Sequence, residues 1–194
     1  MMVTNQPSGS TPLDPDETAG LLLTHITTRE ELNYWEQLNI AEAEDWAFGR
    51  KRNDLLSQSF ICRLHKKMFG NVWQWAGKFR TTQKNLGIDP WRIAMELGQL
   101  CGDTRALIDH ATYPADEIAA SFHHRLVQIH PFPNGNGRHA RLMTDLLLTQ
   151  LKRPLFSWGS KNLIQPGKTR QRYITALQAA DRHDFAPLLK FARS

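Results

Sequence analysis

A chain of 194 residues with 41% hydrophobic content is long enough for one compact domain with a real core, and too apolar to remain unfolded. Its net charge of +5, from 24 basic and 19 acidic residues, helps to attract an acidic ligand but is too modest to argue for nucleic acid, and no stretch approaches the length of a membrane span. Cys62 and Cys101 stand alone without a CxxC pair, which speaks against zinc and for a reducing compartment; residues 1–10 are polar and unlike a signal peptide, so the expected location is the cytoplasm.

Residues 1–26 are rich in Pro, Ser, Thr and Asp and read as an irregular arm. Thr28 and Glu31 form a capping box that starts a helix running to about Phe48. Leu32, Trp35, Leu38, Ala43 and Trp46 give that helix an apolar side. Residues 54–69 read as a second helix with Leu55, Ile61, Leu64 and Met68 inward. Residues 70–90 break the helical spacing with Gly70, Gly77 and Gly87. There the pattern predicts two short strands, 78–82 and 86–88, around a polar turn. Helix returns over 91–109. A further helix has Pro114 in its first turn and Ile118, Phe122, Leu126 and Ile129 on one face. It must stop at His130, because the residue before Pro131 is pushed out of the α region. From Asn136, the residues Leu142, Met143, Leu146, Leu147 and Leu151 mark a strongly apolar, central helix. Helices over 166–180 and 183–192 close an all-helical domain with one β-hairpin.

The chemistry concentrates in residues 130–141. His130 sits where a helix has just ended, so its ring can project into a cleft. Asn134, Gly135, Asn136 and Gly137 then make a turn whose open amides point to the start of the next helix, an anion site by geometry and by dipole. Arg138 and Arg141, three apart, share a face and suit a polyphosphate. A histidine before proline, or a Gly-Asn-Gly turn, is ordinary by itself. Arginines at a helix N-terminus oppose the dipole, however, and a purely structural role explains them poorly.

This window resembles the Fic motif, His-x-Phe-x-(Asp/Glu)-Gly-Asn-Gly-Arg-x-x-Arg, and matches every fixed position except Asn134. Upstream, residues 64–69 and 73–80 are similar to the Fic segment that leads into the flap, so the resemblance covers about 54–150. The whole chain is also similar to the small bacterial Fic proteins labelled "mobile mystery protein B". The resemblance implies an arm over 1–26 and a single Fic-type helical domain over 27–194. It implies a protein adenylyltransferase, with ATP as substrate and Mg2+ as cofactor, that moves AMP to a hydroxyl of a target protein and releases pyrophosphate. His130 would be the general base and Phe132 would hold the loop. Asn134 would stand at the magnesium position. Gly135, Asn136 and Gly137 would hold the α- and β-phosphates, with a side-chain contact from Asn136. Arg138 and Arg141 would clamp the β- and γ-phosphates. A flap over 78–88, with Thr81, Thr82, Leu86, Gly87 and Ile88, would pin the target by backbone pairing.

An amide at Asn134 is a weaker magnesium ligand than a carboxylate. That implies metal held mainly by the phosphates, slow turnover, or a ligand other than ATP in the usual pose. The related Doc kinases also carry an amide near this place, but with a Lys-bearing pattern at the second glycine. Gly137 and Arg138 are intact here, which favours AMP transfer. The alternatives are phosphate or UMP transfer, AMP removal, and a catalytically weak phosphate-binding module. Many Fic proteins carry an inhibitory glutamate that engages the second motif arginine, here Arg141. Between Glu31, used locally in the capping box, and Glu36, free at mid-helix, Glu36 is the candidate, with an antitoxin-like protein partner as the other route to restraint. His123 and His124 read as polar surface, Trp73 and Trp75 as core, and the basic run 168–172 as solvated.

Overall fold

The computed structural model describes residues 13–51, 53–160, 163 and 167–194. Eight α-helices are found among them: α1 (Pro15–Ala19), α2 (Arg29–Phe48), α3 (Gln58–Phe69), α4 (Ile93–Asp109), α5 (Ala115–Ile129), α6 (Asn136–Gln150), α7 (Lys168–Ala180) and α8 (Ala186–Ala192). The all-helical expectation holds. None of the described helices is long and apolar enough to cross a membrane.

Helices α5 and α6 form the centre because each is apolar on two sides. Phe122, Leu126, Ile129, Leu142, Met143 and Leu147 face a core shared with α2, α3 and α4. Ala119, Ala120 and Leu148 face a second cluster made by Trp158, Tyr173, Leu188 and Phe191. Small residues on that second side let α7 and α8 approach closely. Trp73 and Trp75 stack in the first core with ring centroids 4.9 Å apart, as expected of packing residues.

The N-terminal segment is not a loose arm. Residues 1–12 lie outside the described residues, but Pro15 at the first helical position and the Asp14 amide bonded to Glu17 Oε2 (2.8 Å) start α1. Asp14 and Glu17 then grip the Lys84 ammonium at 2.7 and 2.6 Å, and Thr82 Oγ1 donates to Asp14 at 2.7 Å. Lys84 and Thr82 hold the Asp14 carboxyl below its usual pKa. A composition-based reading misses this because the partners lie some 70 positions away.

Helix α2 begins at the Thr28 capping box as expected, with the Glu31 carboxylate accepting from the Thr28 amide at 3.0 Å. Its buried face differs from the expected one. Leu32, Glu36, Asn39, Ala43 and Ala47 are inward, while Trp35 and Leu38 are exposed. The stripe was hidden because two of its members are polar. Asn39 donates to the Lys67 carbonyl at 2.8 Å and accepts from the Asn71 amide at 3.0 Å, so its burial is compensated.

The expected β-hairpin over 78–88 is absent. Among the described residues the β-pairing is one isolated bridge, Leu21 with Trp73. The flap is a loop, and its two arms are held by a side chain rather than by a ladder. Arg80, 2% exposed, donates from Nε to the His130 carbonyl (2.7 Å), from Nη1 to the Thr82 carbonyl (2.9 Å), and from Nη2 to the carbonyls of Ile88 and Ile129. Once a guanidinium takes those carbonyls, facing strands have no use for each other. The backbone pairs instead with the end of α5, Arg80 N to the Pro131 carbonyl at 2.9 Å and Ile88 N to the Ile129 carbonyl at 3.5 Å.

Arg80→Met keeps the aliphatic stem and removes every donor, leaving buried carbonyls unmatched. We expect a loss of about 3 kcal/mol or more in urea denaturation, and faster protease cleavage within residues 81–88. An unchanged midpoint with unchanged cleavage would contradict this account of the flap.

Candidate active site

Helix α5 ends in an unusual way. His130 caps it in the left-handed region (φ 54°, ψ 60°), so the residue before Pro131 leaves the α region as expected. This turn sends the His130 carbonyl to Arg80 and sets the ring, 7% exposed, against the flap. Gly87 (φ 98°) passes so close that a Cβ there would lie 2.6 Å from His130 Cβ. Burial first, then the charges of Arg80 and Lys84, push the imidazole pKa down to about 4, so the ring is neutral near pH 7.

The loop that follows is rigid for identifiable reasons. Phe132 is fully buried and stacks on His65 with centroids 3.7 Å apart. His65 Nδ1 accepts from the Gly77 amide at 3.0 Å, so the proton sits on Nε2 and is donated to the Asn134 carbonyl at 3.0 Å. Gly135 (φ 78°) lies where a Cβ would meet the Phe69 ring at 2.6 Å, so glycine is required on two counts. The Asn136 side chain is turned inward and brackets Phe132, accepting from its amide at 2.9 Å and donating to its carbonyl at 2.7 Å. The Asn136 side chain, expected to contact phosphate, is thus engaged in bracing the loop.

Helix α6 starts at Asn136 with no side-chain cap on its first turn. Its leading amides, with no intrahelical acceptor, open into a cavity of about 810 Å³. His130, Asn134, Gly135, Asn136, Gly137, Arg138 and Arg141 all line it, as do Leu86, Gly87 and Ile88 of the flap. Thr81 and Thr82 are exposed on the flap but are not part of the lining. Six basic side chains line the cavity (Arg29, Lys84, Arg125, Arg138, Arg141 and Arg170) against a single carboxylate, Asp181. The cavity therefore suits an anion with an apolar end, the latter against Leu163, Ile174 and Leu177.

Glu36 reaches this site, but not at the expected arginine. Its Oε2 pairs with Arg138 Nη1 at 2.6 Å and its Oε1 accepts from Trp73 Nε1 at 2.7 Å. Arg138 also lies over the Phe69 ring, 4.8 Å from the centroid. Arg141 instead lies over the Tyr173 ring, 5.7 Å from its centroid.

The fit to magnesium is poor on protein groups alone. Asn134 Oδ1 accepts from the Gly135 amide at 2.7 Å, and no cluster of three or more His, Cys, Asp or Glu able to hold a metal occurs among the described residues.

Several site residues were not singled out from the sequence. Arg170, read as part of a solvated basic run, lines the cavity beside Arg138 and Arg141. His123 and His124, read as polar surface, are buried; His123 contacts Tyr173 at 2.8 Å and His124 contacts Asp181 at 2.8 Å. The available signal was position: Arg170 and Tyr173 lie three apart, on one face of α7, like Arg138 and Arg141 on α6.

Residues 55–148, the segment that builds this cavity floor, match the Fic/DOC family. The chain carries a Fic/DOC domain. It is 34% identical over 145 residues to the protein adenylyltransferase fic-1 of Caenorhabditis briggsae, covering 73% of this chain and 27% of that one. The chain thus spans about a quarter of the length of that relative. The solved structure of Fic-1 (residues 134–508) from C. elegans superposes with a TM-score of 0.69 at 27% identity, over 90% of this chain and 51% of that one. BepC of Bartonella tribocorum, solved with bound AMPPNP, shares the fold at a TM-score of 0.71 and 17% identity, over 93% of this chain and 97% of that one.

Burial holds His123 and His139 down to about 3 and His130 to about 4, well under the unfolded value of about 6.5. Below pH 6.5 the unfolded chain binds protons that the Fic fold refuses. Stability is complete above that pH and falls as pH drops toward the folded values, on the order of 1 kcal/mol per pH unit for each ring. The melting temperature should fall steadily from pH 7 to pH 5, and less steeply in His130→Ala. A flat or rising profile would contradict the buried neutral rings.

Proposed function

We propose that this Fic protein is a protein adenylyltransferase that moves AMP from ATP to a hydroxyl side chain of a target protein. The observation that carries the reading is the position of His130, a neutral imidazole held between the flap and the uncapped, arginine-flanked start of α6. The similarity to protein adenylyltransferase fic-1 supports the same activity, and the AMPPNP bound to BepC supports a nucleotide in the cleft.

In this reading the backbone of Gly135, Asn136 and Gly137 holds the α- and β-phosphates, and Arg138 and Arg141 hold the distal end. The target chain lies along the flap, at Thr81, Thr82, Leu86, Gly87 and Ile88, so that its hydroxyl faces His130. His130 takes the hydroxyl proton, the oxygen attacks the α-phosphorus, and the bond to the β-phosphoryl oxygen breaks to release pyrophosphate. Catalysis is then positioning and charge stabilisation, with the base as a further contribution.

Glu36 is the proposed restraint. Its pairing with Arg138 competes with phosphate for one guanidinium, so it acts on the first motif arginine and not on Arg141. The same pairing favours a second reading, a phosphate-binding module with little turnover, in which Arg138 stays tied to Glu36. An antitoxin-like protein that holds α2 in place would act through the same contact.

Two experiments test this. Incubation with ATP labelled at the α-phosphate should label protein, and His130→Ala should lose about 10²–10⁴ of the rate. Label from the γ-phosphate alone would make it a kinase, and binding with no transfer would favour the module. Glu36→Ala should raise self-labelling roughly fivefold or more, in the usual range for a coupled contact. Labelling no higher than wild type would remove Glu36 as the restraint.

A further inference from the structure

The wall of this cleft carries a third arginine that the Fic motif does not contain. Arg138 and Arg141 stand one turn apart on α6, and Arg141 lies over the Tyr173 ring, 5.7 Å from its centroid, which brings it against α7. Arg170 stands one turn before Tyr173 on α7 and so shares that face of the helix. All three arginines line the same cavity. Arg170 is fixed there by a neutral acceptor, its Nη1 donating to the Leu163 carbonyl at 2.8 Å. That contact orients the side chain and adds no negative charge. Gathering these cations has a cost: burial first, then the charge of Arg141, with a smaller part from Arg138, holds Arg170 below its ordinary pKa. Like charges drawn together in a half-buried wall are explained poorly by stability, and well by a ligand with several negative charges.

The oxygens of the cleft that could hold a divalent cation are engaged elsewhere. Asp181, the one carboxylate of the lining, is held by His124 at 2.8 Å. Asn134, at the place where the motif has an acid, turns its neutral Oδ1 onto the Gly135 amide at 2.7 Å. Metal ions and guanidinium groups do a similar job at a polyphosphate, since each neutralises the oxygens of neighbouring phosphates. Here a neutral amide stands where a carboxylate would draw in a cation, and a fixed guanidinium stands in the wall. The two features suit each other: a carboxylate at 134 would repel a triphosphate that arrives without metal, and an amide does not.

We propose that this cleft binds its nucleotide free of divalent metal, with Arg170 joining Arg138 and Arg141 to neutralise the distal phosphates. The inference rests on the reading of the cleft as an ATP site. Arg170 is then a phosphate-binding residue supplied by α7, outside the motif.

The test is equilibrium binding of ATP, and of AMP, which lacks the distal phosphates, measured in EDTA and in magnesium chloride. Wild-type protein should bind ATP in the two media with affinities within about threefold of each other. Arg170→Gln keeps a donor for the Leu163 carbonyl and removes the charge. It should weaken ATP in EDTA about tenfold and AMP by less than about twofold, since a charged contact to the distal phosphates is lost. A merely structural role would weaken both ligands alike. Asn134→Asp should weaken ATP in EDTA and recover when magnesium is added. The proposal is overturned if wild-type affinity for ATP falls about tenfold or more without magnesium, if Arg170→Gln leaves ATP unchanged or weakens ATP and AMP equally, or if Asn134→Asp responds to magnesium no more than wild type does. Binding of ATP by the wild type only with magnesium would leave the reading of the cleft standing and remove the inference. If wild-type protein binds ATP in neither medium, the reading of the cleft fails, and the inference with it.

Discussion

A single buried guanidinium organises the cleft end of this Fic domain. Arg80 lies between the flap and the last turn of α5, and its donors take the carbonyls of Thr82, Ile88, Ile129 and His130. Burying a cation is costly unless its donors are all used. Here they meet two carbonyls at a helix C-terminus, where the backbone dipole also favours positive charge. That arrangement requires His130 to turn into the left-handed region, and the turn aims its ring at the cleft. It also draws Gly87 to within contact of His130, which excludes any side chain at position 87. Flap shape, the orientation of the His130 ring and the burial that keeps the imidazole neutral all follow from this one contact.

The charges around the cleft are not simply additive. Lys84 is matched by Asp14 and Glu17, Arg125 by Glu96, and Arg138 by Glu36. Each pairing fixes a side chain and dulls its field. Arg141 instead lies over the neutral Tyr173 ring, 5.7 Å from its centroid. The two motif arginines thus differ in partner, a carboxylate of α2 for Arg138 and an aromatic ring of α7 for Arg141. It also gives α1 a purpose, because the ion pairs of Asp14 and Glu17 with Lys84 tie the N-terminal segment to the flap that borders His130.

Much of this was legible in the sequence, and the exceptions have a common physical origin. The helix starts at Thr28 and the apolar periodicity of α5 and α6 are local signals, and they predicted the helices well. The run from His130 to Arg141 is dense enough in turn-forming and cationic residues to mark the site, and it lies where the cavity is. What failed were inferences about polar residues whose partners are distant. Alternation over 78–88 suggested strands because the capacity of Arg80 to satisfy four carbonyls leaves no trace in a local pattern. The apolar residues of α2 point to Trp35 and Leu38 as inward, yet Glu36 and Asn39 are the buried members, held by partners about 30 to 100 residues away. The adjacent His123 and His124 read as surface, yet Tyr173 on α7 and Asp181 just past its end meet one each. The bracket of the Asn136 side chain on Phe132 likewise leaves no trace in the sequence.

The central claim, that this cleft presents the α-phosphorus of ATP to a hydroxyl beside His130, is tested most directly by a crystal structure of the protein with a non-hydrolysable ATP analogue. The account predicts the α-phosphate at the amides of Gly135, Asn136 and Gly137, facing His130 and the flap, with the distal phosphates at Arg138 and Arg141. A nucleotide bound in the reverse sense, with its γ-phosphate facing His130, would contradict it.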